Sequence, residues 1–227
     1  MKRTAAARIS FGFALAFVAI LAALHVLEPE FNVGGHLISE YELGTYGWLM
    51  SLAFFCLGGA SLALWYAIKP DLVTVGGRVG SWWLLLTAIA YVGAGLFHPD
   101  TSTGLGLPED PAKVNRQAVA PTLSASLHGL FGVIVIVSSP IVFSLLYRSL
   151  AKNPQWAAQR RSVRWATVLA WIGLLSFPVS LALYSAIQRP VGFDYRVIVS
   201  LVNRFMILTY AAWLAVVAQR RMQRANG

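Results

Sequence analysis

Charged side chains are scarce in this sequence: they make up 12% of the 227 residues, whereas 57% of the residues are hydrophobic. A soluble domain carries roughly 25% charged residues. The few charges lie between apolar blocks of about 20 residues, the length at which a helix crosses the hydrocarbon of a bilayer. The scarcity of charge therefore excludes an ordinary soluble domain and predicts an all-α, polytopic membrane helical bundle in contact with the lipid bilayer.

Cysteine is scarcer still. Cys56 is the single thiol, so neither an intramolecular disulfide nor a cysteine-based metal motif can form. The sequence also lacks an HExxH pattern and a GxSxG elbow, which are common signatures of zinc and serine hydrolases. The net charge of +9 does not predict a nucleic-acid partner, because membrane topology explains where the basic residues fall.

Six apolar runs predict six transmembrane helices within one domain, residues 1–227. The run after the basic N-terminus is long for the apolar core of a signal peptide, so we interpret it as a span. The predicted spans are 9–28, 47–68, 79–97, 124–147, 165–187 and 197–218.

Basic residues are concentrated on one side of these spans. Because Lys and Arg resist translocation, that side is predicted to be cytoplasmic and to hold both chain termini. Of the nine acidic residues, only Asp71 shares it. The thirteen basic residues of this side are Lys2, Arg3, Arg8, Lys69, Arg78, Arg148, Lys152, Arg160, Arg161, Arg164, Arg220, Arg221 and Arg224.

The histidines gather on the opposite side, which is predicted to be the outer face. His36 and Glu40 are spaced i, i+4, so one helical turn would bring their side chains together. Histidine with carboxylate is a ligand set for zinc. The pattern therefore predicts either a zinc centre or a set of polar contacts at helix ends without any cofactor. The candidate zinc ligands are His36, His98, Asp100 and His128.

Arg204 is the most unusual charge, because it falls about two turns inside the sixth predicted span. A central arginine costs roughly 2.5–3.5 kcal/mol, so such residues usually face the bundle interior. If Arg204 is buried, we expect Asp100 or Glu28 as its partner; if the span begins later, its side chain snorkels to the interface. His25 is also expected to snorkel. The predicted ligand-binding residues of an outer polar pocket are His36, Ser39, Glu40, Asp100, His128, Arg189 and Arg204.

Several motifs resemble a known family. They are HLISEYELGTYGWLMSLAFFCLGGASLAL, GLFHPD, LHGLFG and AIQR. Together they resemble the prokaryotic membrane family called domain of unknown function 998, over about residues 10 to 220. The resemblance implies a six-span protein of the prokaryotic cytoplasmic (inner) membrane, with family positions at Ser39 through Trp48, Asp100 and His128. His98 departs from the family pattern, and the family brings no established activity.

Three functions stay open from the sequence. The first is a non-enzymatic membrane protein whose outer pocket binds a lipid headgroup, an ion, a small solute or a partner membrane subunit. The second is a zinc-dependent lipid hydrolase or transferase acting at the outer leaflet. The third is a secondary transporter that builds its path as a homo-oligomer, although the cytoplasmic halves of the spans offer no charged residue to continue a polar path.

Overall fold

The computed structural model describes residues 2–100, 121–186 and 196–225. Six long helices account for most of them, and no strand occurs in these three ranges. The helices are α1 (Lys2–Leu27), α2 (Gly47–Ile68), α3 (Val75–Leu96), α4 (Leu123–Lys152), α5 (Arg160–Ala186) and α6 (Arg196–Ala225). Short 3-10 helices cover Ile38–Leu43, Lys69–Asp71 and Pro154–Gln159.

All six helices are long and apolar enough to cross a membrane, which confirms the predicted all-α bundle of six spans. Each predicted span overlaps one helix, and the differences lie at the ends. The helix α1, for example, begins at Lys2 rather than at residue 9. Its first turns contain three alanines and two arginines, which favour helix although they are not all hydrophobic. Hydropathy locates the apolar middle of a helix better than its ends.

The helices form a ring of neighbours. Each helix packs against the next one along the chain, α1 closes the ring against α6, and α2 also reaches α6 across the middle. We call the end with residues 25–46, 97–100 and 121–128 the histidine end, and the end with residues 66–78, 149–164 and 220–224 the arginine end. Which end faces the cytoplasm stays a prediction.

Glycines bring α2 and α3 into close contact. A Cβ atom at Gly58 would lie 2.9 Å from the carbonyl oxygen of Ala88, and one at Gly95 would lie 2.9 Å from that of Ser51. Close approach of backbones at small residues is a common mode of helix association in membranes. The contact fixes the end of α3, and with it the start of the segment that carries His98 and Asp100.

Asp71 organises the arginine end. Its buried carboxylate lies 3.1 Å from Nε of Arg221 and 2.9 Å from Nη1 of Arg224, and it accepts a hydrogen bond of 3.3 Å from the indole of Trp156. The Asp71 carbonyl oxygen also accepts a hydrogen bond from the Asn153 side chain. One acidic residue therefore ties the connection between α2 and α3 to the connection between α4 and α5 and to the end of α6.

Replacing Asp71 with asparagine should strongly destabilise the protein. Removing one partner of a buried ion pair leaves the other charge uncompensated, which costs about 3–5 kcal/mol. We expect a clear fall in the Tm of the detergent-solubilised Asp71→Asn variant. Arg160→Gln, at an exposed position of the same end, is the control for a change of one charge and should keep the wild-type Tm. Equal Tm values for the two variants would contradict this role of Asp71.

Candidate functional site

The segment between α1 and α2 folds back over the histidine end. Glu28 is buried, and its Oε1 accepts a hydrogen bond of 2.5 Å from the backbone N–H of Tyr46. A Cβ atom at Gly44 would collide with the Glu28 carboxylate, so any other residue here would have to displace that carboxylate from its hydrogen bond to Tyr46. Tyr41 is fully buried and donates a hydrogen bond of 3.0 Å to the carbonyl of Phe31. The glycines and aromatic residues of the GGHLISEYELGTYGWLM stretch thus build a folded cover.

Arg204 lies beneath this cover and is only 5% exposed. Its Nε donates a hydrogen bond of 3.0 Å to Nε2 of His25, and its Nη1 donates one of 2.6 Å to the carbonyl of His36. Among the described residues no carboxylate lies within 4.0 Å of this guanidinium. The expected pairing of Arg204 with Asp100 or Glu28 is therefore wrong, and neutral acceptors take the place of an acid.

His25 has a larger role than the sequence indicates. Its Nδ1 lies 2.6 Å from the carbonyl oxygen of Leu21, so Nδ1 carries the proton and Nε2 accepts from Arg204. The ring also packs against Tyr41 at a centroid distance of 5.4 Å. The expectation that His25 snorkels outward is wrong, because a buried arginine needs it as an acceptor.

Two predicted residues meet as their spacing indicates. Nδ1 of His36 lies 2.7 Å from Oε2 of Glu40 in the 3-10 turn before α2. Asp100 acts elsewhere: its two oxygens accept hydrogen bonds of 2.8 Å and 2.7 Å from the N–H and the hydroxyl of Thr122, immediately before α4. The first contact lies in the connection between α1 and α2, and the second joins the residues after α3 to the residue before α4.

Glu42 is a polar residue of this end that the sequence reading missed. Its side chain is 0% exposed, and its Oε1 accepts a hydrogen bond of 3.1 Å from the Ser51 hydroxyl. The Ser51 oxygen also lies 3.3 Å from Nε2 of His98. Desolvation raises the pKa of Glu42 to about 8, although the Ser51 hydroxyl acts in the lowering direction. This carboxyl group therefore holds its proton at neutral pH.

His128 stands between Glu42 and open space. Its Nδ1 lies 2.7 Å from the carbonyl oxygen of Phe97 and 3.0 Å from that of Ala94, so Nδ1 carries a proton. The Glu42 oxygen 3.4 Å from Nδ1 is a near neighbour rather than its main acceptor. In the described part of the chain Nε2 has no hydrogen-bond partner, and this atom is not fully buried. Among the described residues, the lone pair of Nε2 is therefore not engaged.

This open space is a cavity of about 230 Å³ in the histidine half of the bundle, between α3 and α4 on one side and α6 on the other. Its walls are largely apolar. None of the described residues that line it is Lys, Arg, Asp or Glu, and polar groups come from Ser39, Tyr91, His128 and Asn203. The other lining residues are Leu37, Ile38, Phe54, Ala94, Pro99, Ala125, Gly129, Gly132, Val133, Val135, Ile136, Phe177, Met206 and Ile207.

The predicted site residues do not converge on one centre. His36 pairs with Glu40 within the cover, Asp100 accepts hydrogen bonds from Thr122 before α4, and only Ser39 and His128 of the predicted set line the cavity. Across residues 2–100, 121–186 and 196–225, no three His, Cys, Asp or Glu side chains are grouped so as to hold a metal ion. Arg189 lies outside the described residues.

A comparison with protein families adds one finding. The family model described as a protein of unknown function, DUF998, matches residues 12–220. The chain belongs to this family. The comparisons with curated proteins and with solved structures found no match. Every residue that lines the cavity falls inside the DUF998 match, as do Glu42, Ser51 and Arg204.

The buried Glu42 should make the stability of this DUF998 protein depend on pH. Its pKa is about 8 when folded and near 4.5 when exposed, so the folded state binds the proton more tightly. The resulting stabilisation is complete below the exposed pKa and is lost as the pH rises through about 8. We expect the wild-type Tm to decrease as the pH rises from about 4.5 to about 8. In Glu42→Gln the Tm should depend less on pH over the same range. The measurement is a series of thermal denaturation curves in detergent.

Ser51→Ala provides the matched comparison for this prediction. It removes the hydroxyl that lowers the pKa of Glu42, so the fall in Tm should extend to higher pH. Identical pH profiles for wild type, Glu42→Gln and Ser51→Ala would show that Glu42 does not titrate in this way.

Proposed function

We propose that this DUF998 protein binds one amphiphilic, lipid-like molecule in the cavity of the histidine half. The main support for this proposal is the lining of the cavity, which is apolar except for a few polar groups such as His128 and Asn203. Small-molecule sites usually combine an apolar lining with a few placed polar groups that fix orientation. A molecule with an apolar chain and a small polar head matches this lining.

The wall formed by α4 supports an apolar chain. Ala125, Gly129, Gly132 and Val133 lie along one stripe of this helix, and Gly129 and Val133 are exposed. A Cβ atom at Gly129 or Gly132 would meet nothing within 4 Å. The glycines therefore leave room that larger residues would fill, and the exposed positions give a lipid a lateral path into the cavity.

A second, much smaller void lies beside this cavity. It has a volume of about 20 Å³, and near it the hydroxyl of Tyr210 lies 2.7 Å from that of Ser61. The two spaces share the lining residues Tyr91, Val135, Ile136, Met206 and Ile207. The small void therefore lies directly beside the cavity and is lined largely by apolar side chains, but it is no larger than about one water molecule.

The other functions have less support. A serine nucleophile needs a base that takes its proton. Ser51 donates a hydrogen bond to Glu42, but this carboxyl group already holds a proton at neutral pH and so is a poor base. A zinc-dependent hydrolase would need ligands that the described residues do not bring together. Transport of the bound molecule and docking of a partner subunit or a second copy stay proposals without a specific contact to argue from.

Filling the cavity from α4 should strongly reduce lipid binding. In Gly132→Phe the new ring points into the space that the bound chain would occupy, without a backbone clash. Purification in mild detergent, followed by mass spectrometry of extracted lipid, should find near-stoichiometric amphiphile in wild type. The variant should retain roughly a tenth of that amount, as expected if the affinity of the nearly saturated site falls about 100-fold, or by about 2.8 kcal/mol.

Gly12→Phe is the matched control. A Cβ atom at Gly12 in α1 also meets nothing within 4 Å, but Gly12 does not line the cavity. Both substitutions replace a helical glycine and are equally favourable for helix formation. Gly12→Phe should therefore keep the wild-type amount of bound lipid. Equal lipid content in wild type and both variants would refute binding in this cavity.

A further inference from the structure

Some polar atoms of the cavity residues are hydrogen-bonded within the protein, and others have no partner among the described residues. Asn203 accepts a hydrogen bond of 3.1 Å from the backbone N–H of Ile38, so its Oδ1 faces the cover. The Nδ2 group is the other half of this amide. Within the described ranges it has no hydrogen-bond partner, and it is not fully buried. Because Asn203 lines the cavity, this amide is a hydrogen-bond donor available to a ligand.

His128 offers the opposite polarity. The carbonyls of Phe97 and Ala94 hold the proton on Nδ1, which leaves the Nε2 lone pair as an acceptor toward the cavity. The tautomer is thus set by the end of α3 rather than by the ligand. One wall of the cavity therefore presents an acceptor, and the residue from α6 presents a donor.

The same space is unfavourable for a charged head. Its described lining has no Lys, Arg, Asp or Glu. The cation of the same helix end, Arg204, directs Nε and Nη1 to His25 and His36, and its Nη2 is enclosed. Placing an unpaired charge among apolar walls is far more costly than placing a hydrogen-bonded polar group there.

Resting on the proposed function, we infer that the cavity selects an uncharged lipid head with both a hydroxyl and a carbonyl group, as in a monoacylglycerol. The hydroxyl donates to Nε2 of His128, and the carbonyl oxygen accepts from Nδ2 of Asn203. The acyl chain then lies along the glycine stripe of α4, so head and chain are recognised by separate parts of one cavity.

Three oleoyl probes test this assignment on the wild-type protein. Monooleoylglycerol carries both head groups, methyl oleate lacks the hydroxyl, and oleoyl lysophosphatidic acid adds a charge. Titrations in neutral detergent, followed by native mass spectrometry, should show monooleoylglycerol binding about tenfold more tightly than either other probe, the effect of one well-placed hydrogen bond. Lysophosphatidic acid binding as tightly as monooleoylglycerol would overturn the selection of an uncharged head.

His128→Asn tests the acceptor itself. Asparagine can keep an N–H group near the position of Nδ1 and so continue to serve the carbonyl of Phe97, but it has no atom at the position of Nε2. The variant should lose the tenfold preference for monooleoylglycerol over methyl oleate, so that the two probes bind to it with similar affinity. Retained binding of methyl oleate to the variant shows that the cavity is intact.

The outcomes separate the two proposals. If none of the probes binds to wild type, the proposed function fails. If monooleoylglycerol and methyl oleate bind equally well to wild type, the cavity binds lipid but the assigned head is wrong. A preference for monooleoylglycerol that survives in His128→Asn would likewise overturn the role of Nε2.

Discussion

Unpaired backbone groups are the constraint on which the histidine end depends. A segment that leaves regular helix near a membrane must find partners for its N–H and C=O groups within the protein, because hydrocarbon supplies none. Glu28 accepts a hydrogen bond from the N–H of Tyr46, and Asn203 accepts one from that of Ile38. Arg204 donates a hydrogen bond to the carbonyl of His36. Polar side chains that look like a reaction centre in the sequence are thus largely occupied in holding the backbone.

The candidate site consists of the polar atoms that these backbone contacts do not use. His128 uses Nδ1 for the end of α3 and retains Nε2, while Asn203 uses Oδ1 for the cover and retains Nδ2. The two retained atoms sit on residues that are fixed by their other contacts. A ligand would therefore meet groups that are already oriented, so little conformational entropy is lost when it binds.

Hydropathy and helical periodicity predict the parts of this structure that depend on local sequence. The six spans follow from apolar run length, and the contact between His36 and Glu40 follows from their i, i+4 spacing. The pairs Glu42 with Ser51 and His25 with Arg204 lie nine and 179 residues apart in the chain, so no local period reports them. They depend on the path of the cover, which Gly44 and Gly47 allow to turn where a side chain has no room. The cavity is harder still to predict, because it lies where Gly129 and Gly132 of α4 have no side chain to fill the space.

The cluster around Asp71 has a consequence for the order in which the protein matures. Its carboxylate is partnered by the indole of Trp156 and by Arg221 and Arg224 near the end of the chain. Chains grow from the N-terminus, so α1 to α5 emerge from the ribosome while both arginines are still missing. Until α6 is made and docks, the acid lacks its cationic partners, and the arginine end cannot close. Closure of the arginine end is thus coupled to the synthesis and docking of α6 through one residue, and a chain truncated before Arg221 would leave the Asp71 carboxylate without its cationic partners.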